Sequence, residues 1–187
     1  MQFTQSIFRF ALVGFTAFSV AVACRTQAQV QPDLSATNQA LGRAFYEEGF
    51  NGTTQAARSA ALTRIVAPDY IQHNAIAPPG RDGLIGFEEA IRQSFPDVNV
   101  TVLDAFATSD RVVVRWKFVG SLTGQPFLGI AASGQKLEFD TIDIWTVKNG
   151  QLYEHWDQLD WPRALVLLGV KGLPTPFVDA AGKPVNR

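Results

Sequence analysis

The chain has 187 residues, of which 47% are hydrophobic and 18% charged, and its formal net charge is −1. This composition fits one folded domain with a packed core and excludes a disordered chain. The chain contains no run of Lys or Arg, so we expect no nucleic-acid partner, because phosphate binding needs a basic surface. One Cys and two His residues exclude a disulfide framework and argue against a metal site.

Residues 1–28 have the pattern of an export signal. Arg9 precedes an apolar run over residues 10–23, which is too short for a membrane-spanning helix of about 20 residues. Small residues suited to cleavage lie at the end of this run and at Ala28. We expect a periplasmic or extracellular protein. The alternatives are a lipid anchor at Cys24, for which we expect the membrane as a partner, and an uncleaved anchor.

Three helices are predicted next, from apolar residues at helical spacing and from capping residues at their starts. They run from Ser35 to about Gly49, from Thr53 or Thr54 to Pro68, and over Leu84 to Phe95. A short extended segment at residues 69–74 lies between the second and third helices.

After Pro96 the spacing of apolar residues changes to two, which predicts β-strands. These strands cover residues 98–102, 112–118, 137–147 and 152–160. The pair Asn149-Gly150 is a strong signal for a two-residue hairpin loop. Helices followed by antiparallel strands predict an α+β fold, with the helices packed on one face of a curved sheet.

The hairpin predicts which side chains share a face of the sheet. If Asn149 and Gly150 form the loop of a regular hairpin, Asp143 lies opposite Trp156. One face then gathers acidic and aromatic side chains: Asp143, Asp160, Phe139, Trp145 and Trp156. The reverse face holds Ile142, Ile144, His155 and Asp157. Carboxylates are costly to bury among aromatic rings, so the first face predicts a pocket.

Several segments in a fixed order carry a family resemblance. They are Tyr70-Ile-Gln-His-Asn74, Gly80-Arg-Asp-Gly83, Phe95-Pro-Asp97, Val112-Val-Val-Arg-Trp116, Phe127-Leu-Gly-Ile130, the stretch from Asn149 to Asp160, and Leu168-Gly169. Together they resemble the SnoaL-like polyketide cyclases, also called ester cyclases, of the nuclear transport factor 2-like superfamily. The resemblance implies a cone-shaped barrel in which three N-terminal helices wrap a strongly bent antiparallel sheet around a hydrophobic pocket.

The resemblance also implies a chemistry. Cyclases of this family close a ring by intramolecular aldol condensation without a metal or an organic cofactor. Their acid/base Asp lies on the last strand in the context Trp-x-x-x-Asp, which here corresponds to Asp160. An Asp two residues before Pro162 is equally a good helix cap, so capping is the structural alternative for Asp160.

An enolate mechanism assigns roles to the predicted pocket residues. A carboxylate in a dry aromatic pocket is a stronger base than in water, and Asp160 would serve as this base. Asp143 or His73 would donate to the developing oxyanion. Asn74 and Gln158 would orient a carbonyl group. Three indole rings, those of Trp116, Trp145 and Trp156, would form an apolar wall.

Three functions remain open. The first is an exported, cofactor-free cyclase, isomerase or lyase, and the second is a non-catalytic protein that binds a hydrophobic small molecule. The third is an interaction module that forms a homodimer through the outer face of the sheet. In each case we expect the cone domain to span residues 29–170 and an extended tail to span residues 171–187.

Overall fold

The computed structural model describes residues 33–171 together with Ala181 and Lys183. The predicted export signal lies outside the described residues, as does most of the predicted tail. Within the described residues, no helix combines the length and the apolar character needed to cross a bilayer.

The described residues form four α-helices, of which three precede most of the sheet. They are α1 (Ser35–Ala44), α2 (Gln55–Ile65), α3 (Gly80–Ser94) and α4 (Trp161–Leu167), and a π-helical turn (Phe45–Phe50) continues α1. The predicted cap of α2 is confirmed, since Thr54 Oγ1 accepts the Ala57 amide at 3.1 Å.

Two predicted helix boundaries are wrong. Ser35 is the first residue of α1 and not its cap, and its amide donates to Asp33 Oδ1 at 2.9 Å. The second helix ends at Ile65, so Pro68 lies inside a strand. Proline is tolerated there because this strand forms an edge of the sheet.

In the described part of the chain, five strands form one open, curved sheet. They are β1 (Val66–Gln72), β2 (Asn99–Ala107), β3 (Arg111–Ser121), β4 (Lys136–Lys148) and β5 (Gln151–Leu159). Their order is β1-β5-β4-β3-β2, with β1 parallel to β5 and the remaining pairs antiparallel. The predicted α+β class and the N-terminal helices packed on a bent sheet are confirmed.

One face of the sheet packs against the helices and is called the inner face below. Its residues on β4 alternate with exposed ones and are all buried: Leu137, Phe139, Thr141, Asp143 and Trp145. Because side chains alternate along a strand, the neighbouring residues Ile142 and Ile144 lie on the opposite, outer face. The predicted face of β4 is therefore confirmed.

The predicted hairpin loop is also confirmed. Lys148 pairs with Gln151, and both loop residues have positive φ, 53° at Asn149 and 75° at Gly150. This conformation matches the twist of a two-residue hairpin and favours Asn-Gly.

The predicted register beyond the loop is wrong. After Val147 pairs with Leu152, Thr146 pairs with Glu154, so Tyr153 is an extra residue on β5. Such a residue is a β-bulge, and we call it the Tyr153 bulge. A shift of one residue exchanges the two faces of a strand.

The bulge has a physical reason in the packing of β5. Leu152 and His155 are both buried on the inner face, yet residues three apart point to opposite faces of a regular strand. The extra residue allows both side chains to point inward. The ring of Tyr153 itself is covered by the Lys148 ammonium, which lies 4.1 Å from its centroid.

Candidate active site

A cavity opens between α3, α4, the π-helical turn and the inner face of the sheet. The space between its walls is about 810 Å³ when the open mouth is included. Seven Phe and two Trp residues line it, and none of the described residues that line it is Lys or Arg. Its polar side chains are Gln72, Asn74, Glu88, Asp143, His155 and Asp157.

Asp143 on β4 is the most deeply buried of these polar groups, with 2% of its surface exposed. The Tyr46 hydroxyl donates to Asp143 Oδ2 at 2.5 Å, while Oδ1 has no hydrogen-bond partner within the described chain. Burial and the nearby Asp143 charge raise the pKa of Tyr46 well above its usual range. The phenol therefore stays protonated and serves as a permanent donor to the carboxylate.

A hydrogen bond at Nδ1 orients the ring of His155 on β5. Gln72 Oε1 lies 3.0 Å from His155 Nδ1 and also accepts the Asn74 amide at 3.0 Å. The backbone N–H of Asn74 can only donate, so the Gln72 atom that it contacts is the side-chain oxygen. Because that oxygen accepts, the hydrogen between it and the His155 ring lies on Nδ1. His155 Nε2 then faces Asp143 Oδ2 at 3.3 Å.

The imidazole is held firmly but its Nε2 stays available. The Trp145 ring stacks on it, with centroids 3.9 Å apart and planes 20° apart. Nε2 has no aligned hydrogen-bond partner among the described side chains. This nitrogen is buried, so it can exchange a proton only with a molecule that reaches the inner end of the cavity.

Asp157 is half-buried and also faces the cavity. Asn74 Nδ2 donates to Asp157 Oδ2 at 2.5 Å, and Asn74 Oδ1 is fixed in turn by the Ile76 amide at 2.9 Å. Burial raises the pKa of Asp157, although His155 and the bond from Asn74 oppose this shift. One carboxylate oxygen is thus anchored, and the group as a whole is a stronger base than an exposed Asp.

Asp143, His155 and Asp157 form one cluster, which we call the acid–base cluster. Each offers one ligand atom, and these atoms lie within 4.8 Å of one another. Two carboxylates and an imidazole are also a ligand set that divalent cations accept. The expectation that the protein needs neither a metal nor an organic cofactor therefore stays a prediction.

The structure places Asp160 outside the cavity. Its carboxylate accepts the Arg163 amide at 3.2 Å and caps α4, and the side chain is exposed. Gln158 is likewise exposed, and both residues line a shallow open depression on the outer side of the sheet. The predicted placement of both residues in the pocket is wrong. The Tyr153 bulge exchanges the two faces of β5, and the strand ends at Leu159.

His73 and Trp156 also lie outside the cavity. Their rings stack with centroids 4.6 Å apart, and His73 Nε2 lies 2.8 Å from Glu154 Oε1. Trp145 is fully buried in the core behind His155 and does not line the cavity. The same register shift explains Trp156, which follows the buried His155 and so points to the outer face.

Three of the residues with a predicted role in the pocket do line the cavity, namely Asp143, Asn74 and Trp116, as does Phe139 from the predicted face. Other residues of the site escape the sequence-based prediction. His155 and Asp157 are predicted on the reverse face, whereas Tyr46, Gln72 and Glu88 carry no predicted role. A signal for Glu88 exists, because it lies on the apolar stripe of α3, four residues after Leu84 and three before Ile91.

Comparison with known proteins agrees with this architecture. The family model for SnoaL-like polyketide cyclases matches residues 40–164. TsrD from Streptomyces laurentii is 27% identical, with a TM-score of 0.63 over 72% of this chain and 96% of that chain. IdmH from Streptomyces antibioticus, a proposed polyketide cyclase, is 28% identical, with a TM-score of 0.56 over 70% of this chain and 97% of that chain.

A proposed SnoaL-like polyketide cyclase from Jannaschia sp. CCS1 has a TM-score of 0.65 over 77% of this chain and 99% of that chain. At 22% identity it supports the fold alone. No curated protein matches the chain significantly in sequence. The family match confirms the resemblance that we inferred from the series of short sequence segments.

Proposed function

Because the chain belongs to the SnoaL-like polyketide cyclase family, we propose that it binds a hydrophobic carbonyl compound and cyclises or isomerises it through an enolate. The observation that carries this proposal is the acid–base cluster at the polar end of an aromatic cavity. The proposed activity needs no cofactor.

Asp157 acts as the base in this mechanism. Its carboxylate removes a proton from the carbon next to the substrate carbonyl, and the electron pair moves onto the carbonyl oxygen. Partial burial strengthens the base. Asn74 holds the second carboxylate oxygen, so that the free oxygen is presented to the substrate.

His155 acts as the acid. In a cyclisation the enolate carbon bonds to a second carbonyl carbon, and the oxygen of that carbonyl takes the proton from His155 Nε2. The Asp143 carboxylate, 3.3 Å away, stabilises the imidazolium before the transfer. Asp157 then passes its proton back to His155, which balances the cycle.

The remaining walls of the cavity select the substrate. Phe118 and Phe139 lie stacked with centroids 5.1 Å apart, and with Trp116 they present broad apolar surfaces. Such walls favour a flat ring system and exclude water, which strengthens the electrostatic interactions inside.

Secretion remains part of the proposal. The pattern of residues 1–28 supports it. Intact-mass analysis of the mature protein tests it, since cleavage after Ala28 predicts an N-terminus at Gln29. A diacylglycerol adduct on Cys24 would instead establish the lipid-anchored alternative.

We also propose a homodimer through the outer face of the sheet. Three exposed apolar side chains support it: Ile142 and Ile144 on β4, and Phe106 on β2, which pairs with the other side of β3. Sedimentation velocity of the wild-type protein and of Ile144→Glu tests it. The proposal expects a dimer that dissociates in the variant, and a wild-type monomer at all concentrations would contradict it.

A proton-exchange assay tests the enzymatic proposal without knowledge of the natural substrate. The probe is 2-tetralone in D₂O, and proton NMR follows deuterium uptake next to the carbonyl. We expect Asp157→Asn to slow the exchange by about 100-fold or more, the usual contribution of a general base. Asp160→Asn is the matched control and should exchange at the wild-type rate.

Two outcomes would contradict the enzymatic proposal. The first is an Asp157→Asn variant that is as active as the wild type. The second is a wild-type protein that binds 2-tetralone but does not exchange its protons, which would favour a non-catalytic binding protein.

A further inference from the structure

Glu88 is a half-buried acid that the proposed mechanism does not use. It lies on α3 and lines the cavity from the helix side, and its Oε2 is buried without a hydrogen-bond partner in the described structure. The members of the acid–base cluster instead come from the sheet. The two walls of the cavity thus each carry polar groups.

Two cations of the neighbouring helices, Arg58 on α2 and Arg92 on α3, are engaged with other groups. Arg58 binds the neighbouring Glu89 through Nε and Nη2 at 2.8 and 2.9 Å. Arg92 Nη2 donates to the Phe50 carbonyl at 2.8 Å. None of the ion pairs within the described residues includes Glu88.

An unpaired acid in such a place favours its neutral form. Burial and the negative charge of Asp143 raise the pKa of Glu88 well above its usual range, and Arg92 opposes the shift only in part. A carboxyl group that keeps its proton is a hydrogen-bond donor as well as an acceptor.

We propose that Glu88 donates a hydrogen bond to a carbonyl oxygen of the substrate, and that the cavity therefore accepts neutral carbonyl compounds and rejects carboxylates. This inference rests on the proposed function, because an enolate mechanism needs a donor at the oxygen that gains charge. Glu88 keeps its proton throughout.

The composition of the cavity supports the second part of the inference. Its lining contains three carboxyl groups and, among the described residues, no Lys or Arg. A carboxylate ligand would enter an apolar space next to Asp143 and Asp157 without a cation to balance it, which is costly. A ketone of the same shape carries no charge and gains a hydrogen bond from Glu88.

A set of matched naphthalene probes tests the inference by binding alone. The probes are 2-acetylnaphthalene with a ¹³C-labelled carbonyl, 2-ethylnaphthalene, which lacks the acceptor, and 2-naphthoate, which is anionic. The variants are Glu88→Leu, which removes the donor, and Glu88→Gln, whose amide retains one. Affinity is measured by NMR titration, and the carbonyl stretch of the bound ketone by infrared spectroscopy.

We expect Glu88→Leu to lower the affinity for 2-acetylnaphthalene about tenfold, which is the contribution of one good hydrogen bond. The carbonyl stretch should move to higher frequency in that variant, because the hydrogen bond is lost. Binding of 2-ethylnaphthalene should not weaken, and Glu88→Gln should bind the ketone about as well as the wild type. The wild type should bind 2-naphthoate more weakly than the ketone.

Three results would overturn the inference. One is a carbonyl frequency that is the same in the wild type and in Glu88→Leu. Another is a clear gain in ketone affinity in Glu88→Gln, which would mean that Glu88 is ionised and repels the carbonyl oxygen. The third is 2-naphthoate binding as tight as that of the ketone.

These failures are separable from failure of the proposed function. Binding requires no turnover. If Glu88→Leu binds the ketone as the wild type does while Asp157→Asn has lost proton exchange, only the proposed role of Glu88 is overturned. A weakened Glu88→Leu together with a fully active Asp157→Asn overturns the proposed mechanism and leaves the donor role of Glu88 standing.

Discussion

The hydrogen bond from Tyr46 to Asp143 lies at the buried end of the cavity. Substitution Tyr46→Phe removes only the hydroxyl, which donates to Asp143 Oδ2 at 2.5 Å. A hydrogen bond to a charged group contributes about 1.5–3 kcal/mol, and here its loss leaves a buried carboxylate short of a donor. We therefore expect the free energy of unfolding to fall by about 2 kcal/mol, with a decrease in Tm of about 4–8 °C.

Tyr70→Phe is the matched control for this experiment. Tyr70 is as buried as a core residue, but its hydroxyl has no hydrogen-bond partner in the described part of the chain. Removing an unpaired buried hydroxyl is neutral or stabilising. Urea denaturation followed by circular dichroism at neutral pH measures both variants. Equal stabilities of the two variants would refute the reasoning.

Three further outcomes are expected. Glu89→Gln should destabilise the protein by about 3 kcal/mol in urea denaturation, because it leaves the Arg58 charge without a carboxylate partner at a site where the two side chains are only 9% and 14% exposed. Glu48→Gln, from an exposed pair, should change stability by less than about 1 kcal/mol. The folded state keeps the Glu88 proton to higher pH than the unfolded state. The free energy of unfolding of the wild type should therefore fall relative to that of Glu88→Gln by about 1.4 kcal/mol per pH unit, from about pH 4.3 up to the folded pKa. Parallel curves of unfolding free energy against pH for the two proteins would contradict this. Dialysis against EDTA should leave the 2-tetralone exchange rate unchanged, and an activity that is lost and then restored by a divalent cation would show that the acid–base cluster holds a metal.

Much of the fold is predictable because its signals are local. Thr54 begins a helix, and the Asn149-Gly150 pair forms the expected loop. The alternation on β4 correctly places Asp143 inside. Each of these features depends on one residue or on a short periodic run, so the sequence alone is enough to identify it.

The polar end of the cavity is less predictable, because it depends on the Tyr153 bulge. Counting pairs outward from the loop assumes a regular strand, and no residue type near Tyr153 signals an extra one. The bulge is selected by tertiary packing, which draws both Leu152 and His155 into the core. One unpaired residue is enough to exchange the faces of β5 and with them the candidate site.

Asp160 illustrates how a family motif and a local signal compete. The motif implies an acid/base role, whereas the nearby Pro162 favours a helix start, and the structure follows the local signal with a capping bond to Arg163. Glu88 illustrates the reverse case. A charged residue within an apolar helical stripe is visible in the sequence, but its meaning emerges only once the stripe is seen to line a cavity.

The two histidines of the chain allow the most direct test of this account. His155 faces the cavity, whereas His73 stacks on Trp156 outside it. A titration with 2-acetylnaphthalene, followed by ¹H–¹⁵N NMR of the imidazole nitrogens with His73→Gln used for assignment, reports on both rings at once. We predict that the His155 signals shift and the His73 signals stay in place. A shift of His73 with an unchanged His155 would contradict the register set by the Tyr153 bulge and the site built on it.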